Sequence, residues 1–189
     1  MKIIYLDVET TGFDEKTCGL LQVAGIISAN GKSEEFDLIM NPGDVVYDRD
    51  SAIINENLTM KQIKEAPPSI DVFNQFIQLL SKYVNRYNSK DKFHVVAYNG
   101  NFDMQFLRAW FLKHNDQYFG SWFWHPVLDV MYLAAFHLLG KRHLMDNFKL
   151  STVYEFLFEE DFPNAHYGLD DVRATKRILN YILTKQGGL

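Results

Sequence analysis

Lys2-Ile3-Ile4-Tyr5-Leu6-Asp7-Val8-Glu9-Thr10-Thr11-Gly12 is the stretch whose reading decides the fold. Ile3, Ile4, Leu6 and Val8 form a nearly continuous apolar run rich in β-branched residues, which suits a strand buried on both faces. Asp7 and Glu9 interrupt that run two positions apart. Side chains alternate across a strand, so both acids point from one face with Cα atoms roughly 6–7 Å apart. Carboxylates so placed repel each other and are costly to desolvate. A divalent cation would remove both problems; a frayed strand end with both acids solvated is the alternative.

Downstream of this strand the pattern predicts more strands and then mostly helices. Leu20 to Ser28 reads as a second strand, Asn30-Gly31 as a two-residue hairpin turn, and Glu34–Met40 as a third strand. Residues 44–68 read as irregular, with a short helix around Met60–Glu65 that Pro67-Pro68 stops. Ser69 is the expected N-cap of a helix running to about Tyr87. Its buried stripe would be Phe73, Phe76, Ile77, Leu80, Tyr83, Val84 and Tyr87. Phe93–Tyr98 reads as a fourth strand that Asn99-Gly100 turns into a helix starting near Asn101. An apolar helix is expected at about Val127–Leu139, a shorter one at roughly Leu150–Phe158, and a last one from Gly168 to about Lys185. No internal repeat or linker interrupts the chain, so residues 1–189 are expected to form a single mixed α/β domain with helices packed on a sheet.

Composition narrows the function classes. The 189 residues are 47% hydrophobic and 15% aromatic, which fits a globular core and argues against disorder. The net charge of −5 excludes an overall basic footprint for long nucleic-acid contacts. It leaves room for a cleft holding a few nucleotides, where metal ions would invert the local field of its acids. With Cys18 the only cysteine, an internal disulfide and a multi-thiolate zinc site are both excluded. No apolar run reaches the ~18 residues a membrane span needs, and Asp7 interrupts any N-terminal signal-like segment. The expectation is a soluble, cytoplasmic protein with no membrane partner.

Two further places carry chemistry. Asp103 lies in Asn99-Gly100-Asn101-Phe102-Asp103, where a strand becomes a helix. The helix dipole favours an acid there, and the C-terminal ends of strands are where α/β sheets hold ligands. In His166-Tyr167-Gly168-Leu169-Asp170-Asp171 a loop histidine precedes a helical acid by five residues. Taken singly, each acid would serve as a first-turn charge and His166 as a hydrogen-bonded loop residue.

Together they closely resemble the DEDDh-type (DnaQ-like) exonucleases, 3′-to-5′ exonucleases of the ribonuclease H-like fold. The matching pieces are Asp7-Val8-Glu9-Thr10-Thr11-Gly12, Asn99-Gly100-Asn101-Phe102-Asp103, and His166 followed at five residues by Asp171. They occur in the family's order and span essentially the whole chain. Leu128-Asp129-Val130, Phe148-Lys149-Leu150-Ser151-Thr152-Val153 and Gln22-Val23-Ala24 agree more weakly. The resemblance implies a mixed five-stranded sheet. It further implies that Asp7, Glu9, Asp103 and Asp171 hold two divalent ions, Mg²⁺ or Mn²⁺, and that His166 takes the proton from the attacking water. Asp170 is passed over because the family spacing selects Asp171. Thr10, Thr11, Gly12 and Phe13, with Asn99 as a further substrate-binding position, would meet the terminal nucleotide. The family often has His where this chain has Tyr98, so altered substrate contacts are expected there.

The implied substrate is a nucleic-acid 3′ end, with single-stranded DNA preferred because proofreading and repair members carry a D-x-E-T-T-G first motif like this one. RNA-trimming members are the runner-up, and a binding module that has lost catalysis is the reading from another class. A polymerase or a homodimer partner is left open. Trp122-Phe123-Trp124 reads either as a buried loop anchor or subunit contact, or as a platform for unpaired bases. Lys141-Arg142-His143 reads most simply as cations at a helix C-terminus.

Overall fold

The two faces of the first strand set the layering of the molecule. A computed structural model describes residues 1–48, 58–163 and 167–185. Strand β1 (Lys2–Thr10) pairs antiparallel with β2 (Leu20–Ala29), which pairs antiparallel with β3 (Lys32–Ile39). The turn between β2 and β3 is Asn30-Gly31, both with positive φ (53° and 74°), as a tight hairpin requires. On its other side β1 runs parallel to β4 (His94–Ala97), and β4 parallel to β5 (Leu128–Asp129). The sheet order is β3-β2-β1-β4-β5, the mixed five-stranded sheet expected.

Alternation along β1 sends Ile4, Leu6 and Val8 to one side and Tyr5 to the other. On the first side they meet α2 (Ser69–Ser81), through Phe73, Phe76 and Leu80, and α3 (Gly100–Lys113), through Phe106, Leu107 and Phe111. Phe73 presents its edge to Trp110 at 5.1 Å and to Phe111 at 5.0 Å, the T-shaped geometry that aromatic quadrupoles favour. On the second side lie α4 (Val130–His137), α5 (Leu150–Phe158) and α6 (Gly168–Lys185). Val130, Ala134, Val153, Val172 and Ile178 of these helices are buried with Tyr5, Ala24 and Val96. Asp7 and Glu9 share the parity of Tyr5, so the same alternation turns them towards α6. The short helix α1 (Met60–Glu65) starts from a capping box between Thr59 and Gln62.

The structure corrects three expectations and decides between the alternatives of a fourth. Helix α2 stops at Ser81, because Lys82, Tyr83 and Val84 tighten back onto Leu79 and Leu80, and Tyr87 is 90% exposed beyond it. Pro68, not Ser69, occupies the cap position. The Ser69 hydroxyl is instead a buried acceptor for the Trp110 indole N–H at 2.8 Å and lies 3.0 Å from His114 Nε2. The apolar stretch from Val127 is divided: Leu128 and Asp129 pair with Val96 and Ala97 as β5, and the helix begins only at Val130. Trp122 and Phe123 are buried, which makes them a loop anchor, while Trp124 is partly exposed.

Candidate active site

Three chain segments converge at the C-terminal ends of β1 and β4. Strand β1 supplies Asp7 and Glu9, the first turn of α3 supplies Asp103, and the first turn of α6 supplies Asp171. Asp7, Glu9 and Asp171 can each offer an oxygen such that these atoms all lie within 4.8 Å of one another. Asp103 is not one of that tight trio. It stands beside them, 3% exposed, with Oδ1 accepting the backbone N–H of Val8 at 3.0 Å. This bond crosses from α3 to β1 and aims the Asp103 carboxylate at the strand between Asp7 and Glu9.

Burial sets the electrostatics. Desolvation first, then the charges of Asp103, Asp171 and Glu9, hold the Asp7 carboxyl well above the usual range. Burial and the charges of Asp171 and Asp103 push Glu9 up to about 8. Asp103 rises to about 7, mainly from burial; backbone N–H donors oppose the rise, and Asp129 and Asp171 add to it. A metal-free cluster therefore retains protons near neutral pH. Carboxylate oxygens around a shared point are the donor set of a hard divalent cation such as Mg²⁺ or Mn²⁺, so the residues fit such an ion.

Neighbouring packing explains why these acids are held so closely. Gly168 opens α6 against β2, where a Cβ would stand 3.0 Å from both Ala24 Cβ and Gln22 Oε1. Glycine lets the first turn of α6, and Asp171 with it, come this close to the sheet without displacing Ala24 or Gln22. Asp170, one residue earlier, instead pairs with Arg173 at 2.8 Å, and Arg173 also reaches Glu35 on β3.

The turn after Glu9 is tightly laced. Thr11 donates its hydroxyl to the Val46 carbonyl at 2.6 Å, and the same oxygen accepts the Gly19 N–H at 2.9 Å. Thr10 Oγ1 donates to the Gly12 carbonyl at 2.7 Å. Gly12 sits against Cys18, whose Sγ would be 2.5 Å from an added Cβ. Phe13 projects from this turn, 59% exposed, with its ring 6.5 Å from that of Phe102. Asn99, at φ 60°, is the left-handed residue preceding α3. His166 lies outside the described residues.

Sequence reasoning left one residue out of the site. Asp129, at the end of β5, accepts the N–H groups of Asn99, Gly100 and Met131, each at 3.0 Å. It thereby satisfies amides at the N-termini of both α3 and α4, and fixes the turn that presents Asp103. The only signal was its place in Leu128-Asp129-Val130. Tyr98 donates its hydroxyl to the Phe148 carbonyl at 2.8 Å, tying β4 to the segment before α5.

Known proteins match this chain along most of its length. The model of a family described as Exonuclease, of RNase T type, matches residues 4–179. A DNA polymerase III PolC-type protein of Thermotoga petrophila is 27% identical over 176 residues, 93% of this chain but 11% of the relative. A DNA polymerase III subunit epsilon-like protein of Rhodobacter capsulatus is 28% identical over 139 residues, 71% of this chain and 17% of the relative. The chain thus spans between about a tenth and a sixth of these relatives. Among solved structures, E. coli Exonuclease I in complex with a dT13 oligonucleotide superposes with a TM-score of 0.74 at 18% identity. That match covers 97% of this chain and 41% of the other, and it makes the architecture ribonuclease H-like.

Proposed function

The chain belongs to the exonuclease family whose model matches residues 4–179, and from that premise we propose that it is a metal-dependent 3′-to-5′ exonuclease releasing nucleoside 5′-monophosphates from single-stranded DNA. The observation that carries this reading is the oxygen-only cluster of Asp7, Glu9 and Asp171 within 4.8 Å, with buried Asp103 beside it. These four acids would hold two divalent ions, which supply charge neutralisation at the phosphodiester and activation of water at neutral pH. His166, five residues before Asp171, is the group assigned to remove the proton of the attacking water. The laced turn Thr10-Thr11-Gly12 offers rigid backbone to the 3′-hydroxyl, and the exposed Phe13 ring supports the terminal base. Preference for DNA draws support from the polymerase relatives and from the dT13-bound neighbour.

The test compares single-stranded DNA, recessed 3′ ends and RNA oligonucleotides with and without Mg²⁺. Stepwise release of mononucleotides from the 3′ end is expected, blocked by a 3′-phosphate because the added charge and bulk take the place of the hydroxyl. Cutting of a closed circular strand, or full activity in chelator, would remove this reading. Faster trimming of RNA would keep the chemistry and move the substrate to RNA.

A further inference from the structure

A hollow opens on the flank of α3, on the edge of the sheet beyond β5. Its volume is ≈ 330 Å³, at the lower end of the ~300–1,000 Å³ range of small-ligand sites. Met104, Phe123 and Val127 give it an apolar lining, Trp124 and Tyr132 supply aromatic faces, and Arg108 stands at its rim. Tyr132 is 60% exposed and Trp124 partly so. The Arg108 guanidinium rests 4.6 Å from the centre of the Phe119 ring and meets no carboxylate among the described residues. Lys92 places a further cation 4.9 Å from the Trp124 ring centre. Asp129 reaches this wall as well, but its oxygens are occupied by three backbone N–H groups.

Aromatic faces beside cations that have no carboxylate partner among the described residues bind a planar base and its phosphate. The position along α3 connects this hollow to the acids. Asn101, Met104 and Arg108 follow one another at helical spacing on one stripe, and Asn101 lies in the same first turn as Asp103. Phe102 occupies a different stripe, with Phe13 on one side of it and the buried Phe106 on the other. The reacting bond would thus lie between two separated aromatic surfaces.

We propose that the hollow between α3 and the Trp124–Tyr132 wall is a subsite for a nucleotide on the 5′ side of the scissile phosphodiester, with its base against Trp124 and Tyr132 and its phosphate on Arg108. The subsite rests on the exonuclease reading given above. It adds to that reading a hold on the strand that remains bound after each cut.

Trp110 and Trp122 are buried, so Trp124 is the tryptophan whose fluorescence an added base would quench. Oligothymidylate added in chelator, where no hydrolysis competes, should quench it, and Trp124→Phe should lose the signal. In Mg²⁺, Tyr132→Ala should raise KM for oligothymidylate roughly tenfold, the worth of one base stack, with the loss in KM rather than kcat. Arg108→Gln should weaken binding and flatten its salt dependence, lowering the log–log slope by about 0.7 for one lost phosphate contact on a single strand. Both side chains are exposed, so the variants should melt with the parent. Unchanged KM, unchanged salt slope and an unquenched Trp124 in a protein that still cuts oligothymidylate would overturn the subsite alone. A parent protein that cuts neither oligothymidylate nor oligouridylate in Mg²⁺ would overturn the exonuclease reading beneath it.

Discussion

Asp7 and Glu9 are separated by one residue on a strand, and Asp171 closes the group from a helix 162 positions after Glu9. Such a cluster is stable when cations or protons neutralise it. Asp7→Asn keeps nearly the same volume while removing one charge. It should abolish hydrolysis and the rise in melting temperature on adding Mg²⁺, yet leave the metal-free protein at least as stable as the parent at pH 8. A variant that still melts higher in Mg²⁺ would take Asp7 out of the ligand set. His166→Ala should lower kcat by a factor on the order of 10²–10⁴ and spare the Mg²⁺-dependent melting shift. Near-normal turnover would instead assign His166 to the loop. Asp7 and Glu9 were legible in the sequence because two acids at a two-residue period inside an apolar run must share one face of a strand. Asp129 was not, since an acid before a helix looks like an ordinary cap. Its bonds to Asn99 and Gly100 join residues 30 and 29 positions apart, which no local pattern shows.

Two helix starts aim the acids, and each depends on a residue outside the group of four. At α3, Asp129 accepts the amides of Asn99 and Gly100 while Asp103 reaches back to Val8. Asp129→Ala would leave the buried Gly100 N–H without its partner, a loss of about 1–3 kcal/mol, and free the turn that presents Asp103. A drop in kcat on the order of 10²-fold is expected, in line with the cost of a small misplacement of a catalytic group. Unaltered kcat in a destabilised protein would limit Asp129 to folding. At α6, Gly168→Ala meets Ala24 and Gln22 at 3.0 Å and should cost about 1–3 kcal/mol as overpacking. Weaker Mg²⁺ binding should accompany it as Asp171 moves outward, and an unchanged Mg²⁺ affinity would show that the contact relaxes elsewhere. Long elements were readable because their periodicity repeats over several turns: α6 was expected from Gly168 to about Lys185 and spans those residues. The two-residue β5 was not, because its pairing with β4 decides against the helical spacing of the residues that follow. The end of α2 was also hidden, since Tyr83, Val84 and Tyr87 continue the helical spacing that the backbone abandons after Ser81.

Across the whole molecule the buried acids and the surface acids pull stability in opposite directions with pH. Glu34, Glu35, Asp91 and Glu160 are held below the usual range by hydrogen bonds, to Tyr83 and Lys82, Arg173, the Asn85 backbone and Lys2, and Arg177 respectively. Their contribution is present above the unfolded carboxylate range, near ~4, and fades as pH falls below it. Glu9 and Asp103 behave oppositely, being raised to about 8 and about 7. Unfolded, they lose their protons near ~4; folded and metal-free, they keep them to near neutrality. Between about pH 4 and pH 8 the folded state therefore binds more protons than the unfolded one, and stability must fall as pH rises. The slope is about 1.4 kcal/mol per pH unit for each proton by which the two states differ. The metal-free protein should accordingly melt highest near pH 5 and progressively lower towards pH 8. Divalent ions compete with those protons, so saturating Mg²⁺ should raise the melting temperature far more at pH 8 than at pH 5 and flatten the profile. Thermal melts in chelator and in Mg²⁺ across this range decide the matter. A chelator profile that stays level or climbs from pH 5 to pH 8 would mean that the acids ionise freely in the folded chain, and that burial does not poise them for a cation.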